Sequence, residues 1–176
     1  MILSLYAVIM EDICQKTLYH GTNSDFDKIS LQEGSEYKDF GQGFYLTDDI
    51  ETARRMAVKK ARLFGGIPTL ITYQFDDSDL SALSVKNFPA KACAEWFEFI
   101  DKNRDRKFPH PVHDFDIVIG LIANDGVVLQ FGNYHNGLLT SEQAAVLLQD
   151  RFLDQQYYFG IEAAIMRLKK VTSETL

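Results

Sequence analysis

Asp39-Phe40-Gly41-Gln42-Gly43-Phe44-Tyr45-Leu46-Thr47 joins a polar, glycine-bearing turn to a short aromatic strand. Neighbours on a strand face opposite sides, so Phe44 is expected in a core and Tyr45 on the other face. Upstream, Thr17-Leu18-Tyr19-His20 reads as a second short strand ending at Gly21-Thr22. Between the two strands Phe26, Ile29 and Leu31 turn towards a core, and a polar loop runs over 32–43. Together they offer a grip for a flat, polar, phosphate-bearing ligand. An imidazole at a strand end can bond a ribose hydroxyl, and a glycine backbone can approach a carboxamide closely. A tyrosine face attracts cations and offers stacking area.

Downstream, Asp48-Asp49 has the form of a helix N-cap, opening a helix over 50–63 with Ile50, Ala53, Ala57 and Ala61 on one face. Phe64-Gly65-Gly66 stops it. Residues 68–75 are β-rich, and Asp76-Asp77-Ser78-Asp79 is a turn. A helix is expected over 90–103, with Trp96, Phe99 and Ile100 on its apolar face, then a charged, Pro-broken loop. The nearly continuous apolar run 115–122 reads as a buried strand. Thr140-x-x-Gln143 has capping-box form before a helix over 142–152. Gln156-Tyr157-Tyr158-Phe159 is a short strand, and 161–171 a final helix. Strands and helices alternate without regular βαβ units, which argues α+β.

With 176 residues, 46% of them hydrophobic, the chain can bury the core of one domain. Thirteen Phe and eight Tyr suggest a core filled by rings. The net charge is −7, and the basic residues of 54–62 form no extended block, so no dedicated nucleic-acid surface is expected. Cys14 and Cys93 follow neither a metal spacing nor a disulfide framework, and a reducing cytoplasm is the default. MILSLYAVIM at 1–10 lacks a basic leader and is too short to span a membrane. Residues 1–16 are therefore set apart as an N-terminal extension, a strand or helix packed on the body or a run upstream of a second start at Met10, and 17–172 as the domain. His110-Pro111-Val112-His113-Asp114 has tolerable metal spacing, but the proline stiffens a loop and no further ligand accompanies it, so no metal is expected.

The two strand motifs resemble the NAD site of ADP-ribosyltransferases of the poly-ADP-ribose-polymerase, diphtheria-toxin-like type. Those enzymes carry His-Gly-Ser/Thr on one strand, Gly-x-Gly-aromatic-Tyr on another and usually a Glu on a third. The resemblance implies a split core of two small, mostly antiparallel sheets surrounded by helices, with NAD as substrate in the cleft between them. It implies that His20 holds the adenosine-side ribose, that the Gly21 backbone holds the nicotinamide amide with help from Thr22, and that Tyr45, beside Gly43, stacks on nicotinamide. Met56 stands where the family often has a second aromatic. Gln156 stands where the family has its Glu, making Gln156, Tyr45 and His20 the catalytic candidates. Glutamine keeps a hydrogen bond to the nicotinamide-ribose 2′-hydroxyl but lacks the charge, so in a catalytic pocket Gln156→Glu is expected to preserve or raise nicotinamide release, and in a pocket that only binds, to create slow hydrolysis.

Asp39 is expected to order its loop or touch substrate. Asp116 is expected to be structural, as a partner for Arg104 or for a loop amide. The string from Asp39 to Tyr45, with Trp96-x-x-Phe99, Asn103-Arg104 and Asp114-Phe115-Asp116-Ile117-Val118-Ile119-Gly120, also resembles a family of small bacterial proteins. That family is known mainly as a domain of unknown function and is taken to share the ADP-ribosyltransferase fold; the likeness runs from about Leu18 to Leu168. The expected function is transfer of one ADP-ribose from NAD to a protein or nucleic-acid acceptor. By analogy with small bacterial relatives the chain is a toxin or defence effector beside a neutralising antitoxin. The rivals are an NAD glycohydrolase, a silent NAD or ADP-ribose binding module, and a scaffold of the same fold.

Overall fold

The computed structural model describes residues 15–78, 80–149 and 153–176. The readings of residues 1–14, of Asp79 and of the end of the helix drawn to 152 lie outside them. The fold is α+β, with seven strands in mixed pairing and five helices among the described residues. The chain divides into two compact units.

One unit gathers the described residues of 15–29, Leu46–Leu83 and Glu162–Leu176. Here β1 (Gln15–Thr22), β3 (Thr69–Asp76) and β7 (Leu168–Thr175) are antiparallel neighbours. Leu18 pairs with Tyr73 and Gly21 with Leu70, and on the other side of β3, Phe75 pairs with Leu168. Leu18, Leu70, Ile71, Tyr73 and Phe75 are buried. Helix α1 (Ile50–Phe64) opens on Asp49, whose carboxylate accepts from the Thr52 N–H at 2.5 Å, as the sequence led us to expect. It lays Ala53 and Ala57 on β1. Short side chains there let the helix come close.

The end of the chain corrects the sequence reading. The helix expected over 161–171 is a single turn, α5 (Glu162–Ile165), followed by strand β7. Ladder pairing with β3 on both sides of a bulge at Val171 wins over local helical preference.

The other unit gathers Ser30–Tyr45 and Ser84–Ile161. Strand β4 (Val85–Asn87) runs parallel to β5 (Ile117–Leu121), and β5 pairs antiparallel with β6 (Gln155–Phe159), placing Gly120 opposite Gln156. Helices α2 (Ala94–Arg104), α3 (Asp125–His135) and α4 (Ser141–Leu148) complete it. The Thr140 capping box forms both its bonds, Gln143 N–H to Thr140 Oγ1 at 3.3 Å and Thr140 N–H to Gln143 Oε1 at 2.8 Å. Phe40, Trp96, Phe97, Ile100, Val118 and Phe131 build an aromatic core, and the Trp96 indole N–H donates to Leu121 O at 3.1 Å. Strand β2 (Phe44–Thr47) begins in this unit and ends in the other, where Thr47 pairs with Tyr19.

Candidate functional site

Asp39 closes the polar loop and is 7% exposed. Its Oδ1 accepts from Arg104 Nε at 2.8 Å and Nη2 at 2.5 Å, and its Oδ2 accepts from Gln156 Nε2 at 2.7 Å and the Ala123 N–H at 3.0 Å. Four donors fill the acceptor sites of a carboxylate. Of the two roles expected of it, Asp39 performs the ordering one: it ties its loop to α2, to the chain after β5 and to β6. Arg104 Nη2 also donates to Ala123 O at 3.0 Å. Asp116 takes the loop-amide role, its Oδ2 accepting the Ser84 N–H at 2.8 Å, while Arg104 goes to Asp39.

Gln156, buried on β6, donates its second amide N–H to Leu121 O at 3.1 Å. Both partners of Nε2 are acceptors, so a flipped amide would aim oxygen at oxygen, and the orientation is fixed. Its Oε1 has no hydrogen-bond partner among the described residues. The side chain therefore presents a neutral acceptor backed by a carboxylate.

Tyr45 belongs to the same unit. Its hydroxyl donates to Gly41 O at 2.6 Å and accepts the Phe40 N–H at 3.1 Å, clasping the glycine turn. Its ring stacks on Phe40 with centroids 6.4 Å apart and meets Tyr158 edge-on at 5.4 Å. Burial, with the charge of Asp39 nearby, pushes the phenol's pKa well above its usual value. Lys38 Nζ lies over the ring, 5.0 Å from the centroid. Gly43 is dictated by packing, since a Cβ there would lie 2.3 Å from the Tyr158 ring and 2.7 Å from Phe159 O.

His113 holds the other side of the turn. Its Nε2 lies 2.9 Å from Phe40 O, and its Nδ1 accepts the Phe115 N–H at 3.1 Å. These partners require the neutral tautomer with the proton on Nε2, and burial lowers its pKa. His110 goes elsewhere, to Asp105 O at 3.2 Å and edge-on to Tyr37.

His20, Gly21, Thr22 and Met56 lie in the other unit. Half-buried on β1, His20 meets Phe26 edge-on at 5.8 Å. The Phe26 turn is pinned by Lys170 Nζ, which bonds Asp25 Oδ1 at 2.8 Å, Phe26 O at 2.8 Å and Asp27 Oδ1 at 3.0 Å. Thr22 is buried opposite Thr69. Gly21 has a packing reason, because a Cβ would sit 1.9 Å from Ala53 O and 2.8 Å from Ala57 N on α1. Met56, on α1, is exposed.

The structure thus brings Asp39, Gly43, Tyr45 and Gln156 together in one unit, and His20, Gly21, Thr22 and Met56 together in the other. Sequence reasoning missed Lys38 and Tyr158 as neighbours of Tyr45, and His113 as the partner of Phe40 O. Only Tyr158 carried a signal, its place on the quoted β6 strand.

These features define an α+β protein with a glycine turn clasped by tyrosine and a buried Asp–Arg–Gln network. The chain belongs to the family described as protein of unknown function (DUF3990), whose model matches residues 16–170. No curated protein and no solved structure matches it. Among the described residues no helix is long and apolar enough to cross a membrane.

Proposed function

We propose that the protein takes NAD as substrate and transfers single ADP-ribose units to a protein or nucleic-acid acceptor. The observation that carries this reading is the bond between Gln156 and Asp39, 2.7 Å long. As the nicotinamide bond breaks, the ribose gains oxocarbenium character, and an acceptor on its 2′-hydroxyl stabilises that charge. Gln156 Oε1 is such an acceptor. The Asp39 carboxylate behind its amide nitrogen polarises the amide, since linked hydrogen bonds strengthen one another. Part of the charge that a glutamate would bring is then supplied one bond further back.

The supply is incomplete, because Arg104 balances Asp39. Loss of a full electrostatic stabiliser costs about 3–4 kcal/mol, or a hundred- to a thousandfold in rate. Slow transfer of one unit is therefore expected rather than chain growth. The same balance favours a second reading, a module that binds NAD or ADP-ribose and leaves it intact.

The test is incubation with adenylate-labelled NAD and a cell lysate, following nicotinamide release, label in macromolecules and the protein's melting temperature. Nicotinamide release with labelled macromolecules supports transfer, and free ADP-ribose alone makes the protein a glycohydrolase. Intact NAD with a raised melting temperature makes it a binding module. Absence of both turnover and a melting shift at millimolar NAD sinks every NAD reading.

A further inference from the structure

Lys38 differs from its peers. Several other half-buried cations face carboxylates: Lys86 with Glu95, Arg104 with Asp39, and Lys170 with Asp25 and Asp27. Lys38 is half-buried as well, yet its ammonium has no carboxylate or hydrogen-bond acceptor among the described residues. Its polar contact is the face of Tyr45. Removing an ammonium from water without an anion is unfavourable, and a ring face returns only a share of the loss. Burial accordingly lowers the Lys38 pKa.

The seat is also built by the backbone. Gly34 has φ +125°, where an L side chain is strained, and a Cβ there would lie 2.6 Å from Lys38 Nζ. One glycine thus leaves room for this ammonium. On the preceding residue, Tyr37, the Arg106 guanidinium lies 5.3 Å over the ring and likewise has no carboxylate among the described residues. Within a chain of net charge −7, Lys38 and Arg106 thus lie on aromatic faces with no ion pair among the described residues.

We propose that Lys38, seated between Gly34 and the Tyr45 ring, is an anion subsite for a phosphoryl group of a small-molecule ligand. Lysine recognises phosphate as a compact point charge. A phosphoryl oxygen bonded to Nζ supplies the missing acceptor. It also offsets the like charge that a cationic ring would meet at Tyr45. The subsite stands whether or not the ligand is NAD.

The probe is pyrophosphate, titrated calorimetrically into the full chain as wild type, Lys38→Met and Lys38→Arg, with citrate as the carboxylate arm. Wild type is expected to bind pyrophosphate. Lys38→Met should weaken it about tenfold or more, the loss of one charge-assisted bond, while Lys38→Arg retains most of the affinity. Lys38→Met keeps the aliphatic stem, and an unliganded melting temperature at or above that of wild type shows that it folds. No pyrophosphate binding by wild type, or equal affinity in a folded Lys38→Met, overturns the subsite. Citrate binding as tight as pyrophosphate overturns its phosphoryl assignment. Pyrophosphate binding without NAD binding would remove the NAD reading and leave the subsite intact, and the converse result would remove only the subsite.

Discussion

Replacing Gln156 by Glu exchanges one NH2 for an oxygen at the most constrained point of the network. Nε2 now donates to Asp39 Oδ2 at 2.7 Å and to Leu121 O at 3.1 Å. A glutamate oxygen in its place faces two acceptors, one of them charged. Two carboxylates at that separation cannot both stay ionised, so the introduced glutamate is pushed to hold a proton. Protonated, it keeps one of the two bonds and strands an acceptor, which costs roughly 1–3 kcal/mol. Ionised, it breaks a buried charge network, which costs about 3–5 kcal/mol.

The pH dependence follows from linkage. The folded pKa of the introduced glutamate lies above its unfolded value of about 4.3. Between those two values the native state holds a proton that the unfolded state has lost, so stability falls as pH rises. Its fall is at most about 1.4 kcal/mol per pH unit and ends above the folded pKa. Melting temperatures of wild type and Gln156→Glu from pH 4.5 to 8 should therefore diverge with rising pH, reaching a gap of roughly 6–20 °C at 2–4 °C per kcal/mol. A gap that stays constant across that range would refute the Asp39–Gln156 geometry. The same reasoning reverses the expectation drawn from sequence that this substitution preserves or raises nicotinamide release: the added carboxylate arrives neutral or destabilising.

Two further outcomes test the surroundings. Gly21→Ala puts a methyl 1.9 Å from Ala53 O, a backbone atom of α1 that cannot swing aside; overpacking of about 1–3 kcal/mol or more should lower the urea midpoint at unchanged slope, and an unmoved midpoint would show that α1 does not rest there. His113 is held neutral by Phe40 O and the Phe115 N–H, and burial lowers its pKa. Its contribution is thus full above the unfolded value of about 6.5 and lost as pH falls through the folded one; wild type should lose more urea resistance than His113→Gln between pH 8 and 5, and equal losses would mean that His113 is not held neutral.

Local chemistry was legible from sequence. Asp49 and the Thr140 box cap their helices because each cap is a contact across three residues, written in consecutive letters. Ala53 and Ala57 could be set on a buried face because helical spacing repeats every turn. The likeness to a family of unknown function also lay in the string from Asp39 to Tyr45. Strand β7 could not be read, because its state depends on β3, far away in the chain. Helix α3 was passed over, since Gly126 and Gly132 weaken its local preference, although Asn124 caps it by accepting from the Gly126 and Val127 N–H groups.

The site chemistry was decided by tertiary structure alone. Sequence offered Asp116 to Arg104; in the fold Arg104 goes to Asp39, and Asp116 accepts the Ser84 amide. From sequence Gly21 and Gly43 read as ligand-site glycines; that α1 lies against the one and Tyr158 against the other is seen only in the fold. The orientation of the Gln156 amide, and the unpaired ammonium of Lys38, depend on which charges folding brings within a few ångströms. Coulomb and hydrogen-bond terms fall away over that distance, and nothing in residue order records it.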